Sequence, residues 1–200
     1  VLDEYGVSIS EGVMLEQDSD KMLYGTPSAI IVTVSPYTSV TSNTNMNMNA
    51  CFMTSGKIEL KESEELEKLG VETEILATTG EKSFYRTDYS IESYSKTSSD
   101  KDSSNATVGA LLKKKIDDNT TSELIVYSNN VFITNLQISI SQQYYSYALD
   151  FYNNEDLAIN SIAYLTGRDN MITIRKDIET STYTVTAEQN TIILTIIFAI

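Results

Sequence analysis

The chain has 200 residues, with 28 acidic against 14 basic side chains, no histidine and a single cysteine, for a formal charge of −14. That charge excludes nucleic acid and anionic lipid surfaces as partners, since both repel it, and the missing histidine removes the base of a serine or cysteine nucleophile and the usual ligands of a zinc site. A lone Cys51 forms no intrachain disulfide framework, while 200 residues with 41% hydrophobic content are enough for one domain, or one and a half, around a real core.

The opening VLDEYGVSIS lacks both a basic and an apolar signal region and begins without Met, so it reads as a processed or trimmed piece of something longer. Residues 2–5 read as the end of a short helix stopped by Gly6, with residues 7–9 extended. The β-branched run 29–34, between Pro27 and Pro36, predicts a buried strand. Residues 38–50 are polar and Asn-rich and predict a surface loop or a capped helix start; Met46 and Met48 are too sparse for a soft-metal site. The charged ESEELEKL predicts a short helix or an exposed turn, and 71–78 alternates at period two as a half-buried strand does. IESYSKTSSDKDSSNATVG reads as a long mobile loop, and the triplets at Asn105 and Asn119 match the glycosylation sequon, a pattern common by chance.

In the last third, ATVGALLKK predicts a strand, 113–118 a polar turn, and SELIVYSNNVFIT a strand running into a loop at 128–130. LQISISQQYYSYALDFYNN is ambiguous between strand and helix. NNEDLAINSIAYLTG predicts a helix, with Leu157, Ile159, Ile162, Ala163 and Leu165 mostly on one face, Glu155 and Asp156 complementing the dipole in the first turn, and Gly167 closing it. MITIR follows as a strand, and strands alternating with helices point to an α/β layered domain. The terminal TIILTIIFAI has two readings. Ile192, Ile193, Leu194, Ile196, Ile197 and Phe198 either begin a membrane anchor, whose full span needs about 20 residues, or form a last core strand. The expected division is a domain over 1–190 and either the anchor start or the last core strand over 191–200.

The acid pairs Glu64-Glu65, Asp117-Asp118 and Glu155-Asp156 lie in polar runs or a helix first turn, where solvated or capping roles are the ordinary ones. Cys51 has no histidine to activate it and reads as a buried apolar thiol. No phosphate-binding G-x-x-x-x-G-K-[ST] occurs, so the chain hydrolyses no ATP by that motif. Tyr144, Tyr145, Tyr147 and Tyr152 crowd one segment and are the candidate contact surface. Were that segment helical, Tyr144, Tyr147 and Phe151 would face the core and leave Tyr145 and Tyr152 outside.

The order of the last segments, from ELIVYSNNVFIT to FYNNEDLAINSIAYLTGRDNMITIRKD and the apolar terminus, resembles the C-terminal part of the soluble domain of gliding-motility-type ABC-transporter auxiliary proteins, the GldG family. Asn154, Asp156, Leu157, Asn160, Ile162, Leu165, Gly167, Ile172, Ile174 and Arg175 fill places in that family's N-x-D-L-x-L-N-x-I-x-W-L-x-G-x-x-x-L-I-x-I-R, with Tyr164 where Trp is frequent. LDEYGVSISEGVM, PSAIIVTVSPYTSVTS and EILATTGEKSFYR are similar to earlier segments in the same order, although Thr79-Gly80 departs from the usual Ser.

The resemblance implies a glutamine-amidotransferase-like, Rossmann-like α/β domain standing outside the cell membrane on a C-terminal tether, with its N-terminal strands missing from this chain. It implies a non-catalytic auxiliary subunit without cofactor, working with separate ABC permease and ATPase subunits or meeting an envelope substrate. The other reading is a stand-alone carbohydrate-binding module with the Tyr-rich stretch as its platform.

Overall fold

The structure, a computed structural model, describes residues 1–42, 48–91, 93–139 and 145–168. In chain order its strands are β1 (Val7–Ile9), β2 (Val13–Leu15), β3 (Met22–Leu23), β4 (Thr26–Val34), β5 (Met48–Met53), β6 (Ile58–Leu60), β7 (Val71–Thr78), β8 (Phe84–Arg86), β9 (Lys101–Asp102), β10 (Thr107–Lys115), β11 (Thr121–Tyr127), β12 (Gln137–Ser139) and β13 (Tyr145–Tyr147). Two α-helices join them among the described residues, α1 (Ser63–Leu69) and α2 (Asn154–Leu165).

The main sheet runs β11-β10-β7-β4-β3, with β5 on the free side of β4, and every pairing in it is antiparallel. This overturns the expected α/β layered, glutamine-amidotransferase-like or Rossmann-like fold. Such a fold needs parallel strands joined by helical crossovers. Here β10 and β11 are joined by a short turn in which Ile116 N–H bonds the Thr120 carbonyl, and Leu23 pairs with Thr26 across a two-residue turn. One clear helix near the end of the sequence suggested an alternation that the earlier strands do not follow.

The central strands form where the sequence puts apolar side chains on both faces. On β4, Ile30, Val32 and Val34 enter a core with Met14, Phe52, Val108, Phe132 and Leu157, while Ala29 enters a second cluster with Leu23, Cys51 and Phe151. Burial on both faces explains why residues 29–32 read as a continuous apolar run. At the other end of the sheet Val7, Ile58, Leu66, Val71, Ala110, Leu112 and Val126 form a third cluster. Gly6 ends the first 3-10 turn at φ 67, and a Cβ there would stand 2.5 Å from Leu66 Cδ2.

Residues 113–115 belong to β10 rather than to the expected turn. From β8, Arg86 reaches into the stretch expected to be a mobile loop and holds Asp100 through two hydrogen bonds, Nε to Oδ1 at 2.9 Å and Nη2 to Oδ2 at 2.7 Å. It also donates to the carbonyls of Ser93 and Ser95, and Thr97 N–H donates to Asp100 Oδ2. The ion pair is 4% and 1% exposed, so this segment is pinned to the end of β8.

Helix α2 buries Leu157 of the expected apolar face but turns Ile159, Ile162 and Leu165 outward. Asn154, Leu157, Asn160 and Ser161 are buried, whereas Ile159, Ile162 and Leu165 are 44%, 64% and 47% exposed. The reason lies in what the helix meets. Its first residue docks on the outer edge of β5, where backbone groups need partners that only a polar side chain supplies. Further along, Ser161 Oγ and Tyr127 Oη are 2.9 Å apart and the Tyr164 hydroxyl donates to Glu123 at 2.6 Å, so α2 crosses from β5 to β11. Glu155 and Asp156 occupy the first turn and Gly167, at φ 65, follows the last, as expected.

Candidate functional site

The Tyr-rich segment is not a helix. Tyr145 and Tyr147 stand on β13, paired with Ser139 and Gln137 of β12, and both are exposed. A spacing of two on a strand puts both side chains on one face of this ribbon. A 3-10 turn over Ala148–Asp150 follows, then buried Phe151 and exposed Tyr152. Tyr147 is thus outside rather than in the core, and Tyr144 lies outside the described residues.

The structure also exposes an aromatic residue that the sequence reading passed over. Tyr24 is 65% exposed and meets Phe151 edge-on, with ring centroids 6.3 Å apart and planes at 75°. The pKa of the Tyr152 phenol is raised by burial first, then by the neighbouring Cys51 and Tyr24. Tyr145 and Tyr147 make no ring contact with another aromatic among the described residues. The signal for Tyr24 was in the sequence all the same: Tyr24-Gly25 stands between two short apolar stretches, as a two-residue hairpin turn does.

Cys51 is buried on β5, and burial pushes its thiol up to about 12, which leaves it protonated and unreactive at neutral pH. Asp117, Asp118, Glu64 and Glu65 are exposed, and Glu155 and Asp156 sit in the first turn of α2. Among the described residues no three Cys, Asp or Glu side chains gather as a metal-ligating cluster. Met48 is a core residue, and Met46 lies outside the described residues.

Two grooves share one end of the main sheet. One, of about 370 Å³, runs between α1 and β7 past Leu66, Gly70 and Val71; the other, of about 310 Å³, is lined by Glu72, Lys113, Lys115, Asp117 and Glu123 among others. Several charges of the second groove are already engaged. Lys113 Nζ lies 2.5 Å from Glu74 Oε1, whose carboxylate also accepts from Ser39 N–H and Oγ. Burial pushes the Glu74 carboxyl up, but the bonds from Lys113 and Ser39 outweigh it and hold it below its ordinary value.

The outer stripe of α2, Ile159, Ile162 and Leu165, is exposed and apolar, at a spacing of three that keeps the side chains adjacent. No helix among the described residues is long and apolar enough to cross a membrane, and the terminal run with Ile192, Ile193, Leu194, Ile196, Ile197 and Phe198 lies outside them. Comparison with protein-family models, curated proteins and solved structures finds no match for this chain.

Proposed function

We propose that the chain is a non-catalytic auxiliary subunit of an ABC transport system, standing on the extracytoplasmic side of the cell membrane and meeting a permease through the outer face of α2. The observation that carries this reading is the apolar stripe of Ile159, Ile162 and Leu165 on a helix whose inward face is partly polar. A strongly acidic protein gains nothing in solubility from such a stripe, and contiguous exposed apolar side chains mark contact surfaces. The same helix holds most of the residues on which the resemblance to the GldG family rests. Two of them, Asn154 and Leu157, are the helix's anchors in the fold, and two others, Ile162 and Leu165, form the exposed stripe. The resemblance enters here as an order of segments; the fold that it implied is not part of the reading.

Co-expression of the full-length gene product with an ABC permease and ATPase pair from the same genome tests this. The wild type is expected to co-purify with the permease from detergent extracts and to stay in the membrane pellet after a carbonate wash. The double variant Ile159→Glu/Ile162→Glu is expected to fold with an unchanged Tm and to lose the permease. A variant that unfolds would mean that the stripe is part of the fold and not a contact surface, and a variant that keeps the permease would place the contact elsewhere; either result overturns the reading.

A further inference from the structure

β7 is an inner strand of the main sheet, yet over its first half it has a neighbour on one side only. On the β10 side, Lys115 N–H bonds the Gly70 carbonyl, and the register runs on through Lys113↔Glu72 and Leu111↔Glu74. Bonded pairs alternate along an antiparallel ladder, so Glu72 and Glu74 turn their backbone groups to β10 while Val71 and Thr73 turn theirs away. On that far side, β4 pairs with Ala77 and Thr78, and Ser35 N–H bonds the Leu76 carbonyl. Among the described residues, nothing bonds the outward N–H and C=O groups of Val71 and Thr73. A row of unpaired backbone donors and acceptors is a template for a further strand.

These groups do not lie on an open border. Helix α1 stands alongside, and the groove of about 370 Å³ between them is lined by Leu66 and Glu67 of α1 and by Val71, Glu72 and Thr73 of β7. A strand laid in this groove bonds the edge of β7 and touches the helix at once. Main-chain bonds then supply affinity, and the alternating side chains supply selectivity.

The charges along the groove set the occupant. Glu67 and Glu72 are exposed, and neither carboxylate has a hydrogen bond or an ion pair among the described residues. The one cation of the lining, Lys115, is already paired with Asp118 at 2.9 Å. A second copy of this chain would set glutamates against glutamates, which is destabilising across a strand pair. Its −14 charge opposes that approach at longer range as well, and the same charge draws a cationic segment in.

We propose that the groove between α1 and β7 binds an extended basic peptide, which adds to the main sheet as a strand beside residues 71–73 and sets lysine or arginine side chains against Glu67 and Glu72. The contact uses α1 and β7 rather than α2, so it goes beyond the permease reading and is tested without a permease.

The test is fluorescence anisotropy of a labelled short peptide of alternating lysine and valine, titrated with the purified chain at about 150 mM salt, where distant charges are screened. A glutamate–valine peptide is the acidic control, and a lysine–valine peptide N-methylated at every residue keeps the charge but has no backbone donors. The lysine peptide is expected to bind with a Kd below about 1 mM, and both controls are expected to bind at least about tenfold more weakly. Glu67→Lys/Glu72→Lys is expected to weaken binding of the lysine peptide by at least about tenfold. Asp20→Lys/Glu81→Lys makes the same charge change at exposed acids outside the groove and is expected to stay within about threefold of wild type. Failure of the lysine peptide to bind, equal binding by either control peptide, undiminished binding by the groove variant, or an equal loss in the Asp20→Lys/Glu81→Lys variant would each overturn the proposal.

Discussion

Asn154 pairs with the Cys51 peptide unit as a neighbouring strand would: its Oδ1 accepts from Cys51 N–H at 2.7 Å and its Nδ2 donates to the Cys51 carbonyl at 3.0 Å. Nδ2 also donates to the Ala148 carbonyl at 2.7 Å, and the side chain is wholly buried. One amide thereby closes the edge of β5 and joins it to the start of α2. Asn154→Ala leaves a buried N–H and two buried carbonyls with fewer partners, and the expected cost is about 3 kcal/mol, each unsatisfied group costing about 1 to 3 kcal/mol. Urea unfolding measures it, and a loss below about 1 kcal/mol would show that the edge finds other partners.

The Arg86–Asp100 pair predicts how stability depends on acid. The Arg86 guanidinium beside Asp100 holds its carboxyl well below the usual carboxylate range. A folded pKa below the unfolded one stabilises the protein above the unfolded value of about 3.9, and that contribution is lost as pH falls further. Asp100→Asn strands a buried guanidinium and is expected to cost about 3 to 5 kcal/mol at pH 7. The gap between wild type and variant in the urea midpoint is expected to narrow below about pH 4; a gap constant down to pH 2 would contradict the linkage.

Cys51 makes an alkaline prediction of opposite sign. With the folded thiol pushed up to about 12 and an unfolded value of about 8.5, stability is fully retained below about pH 8.5 and falls as pH rises above it. At pH 8 the native thiol is expected to react with an aromatic disulfide reagent about a thousandfold more slowly than the urea-unfolded chain. Comparable rates would mean that β5 opens readily.

Gly109 is where β10 has room for no side chain. A Cβ would stand 2.7 Å from Tyr127 Cε1 and 3.1 Å from Ala77 Cβ. Gly109→Ala therefore displaces the Tyr127 ring from its contacts with Phe52 and Phe132, at an expected cost of about 1 to 3 kcal/mol. Thermal unfolding of Gly109→Ala alone and with Tyr127→Leu separates the two effects: the smaller residue is expected to recover part of the lost Tm.

Several elements were legible because their cause is local. The run over β4, the alternation of β7, the acidic start of α2 and the glycines after Tyr5 and Leu69 are written in neighbouring residues. The antiparallel architecture was not, because pairing direction depends on which distant strands meet. Nor was the orientation of α2. Counting apolar residues put Ile159, Ile162 and Leu165 inside, but the β5 edge demanded the amide of Asn154, and that demand is visible only once residues 103 apart in sequence are in contact. Arg86 and Asp100 show the same limit over a shorter distance, since neither gives any local sign that the two will share a buried bond. Of the candidate tyrosines, Tyr145, Tyr147 and Tyr152 are all exposed, because the segment is a strand and a turn and not the helix that would have put Tyr147 inside.

Because α2 is fastened to β5 through Asn154 and to β11 through Tyr164 and Ser161, it works as a mechanical tie-beam across the sheet. A pull on the chain beyond Arg168 reaches both borders of the sheet at once and loads those bonds together. Such a domain yields to tension by losing its whole span in one event, not by shedding strands one at a time.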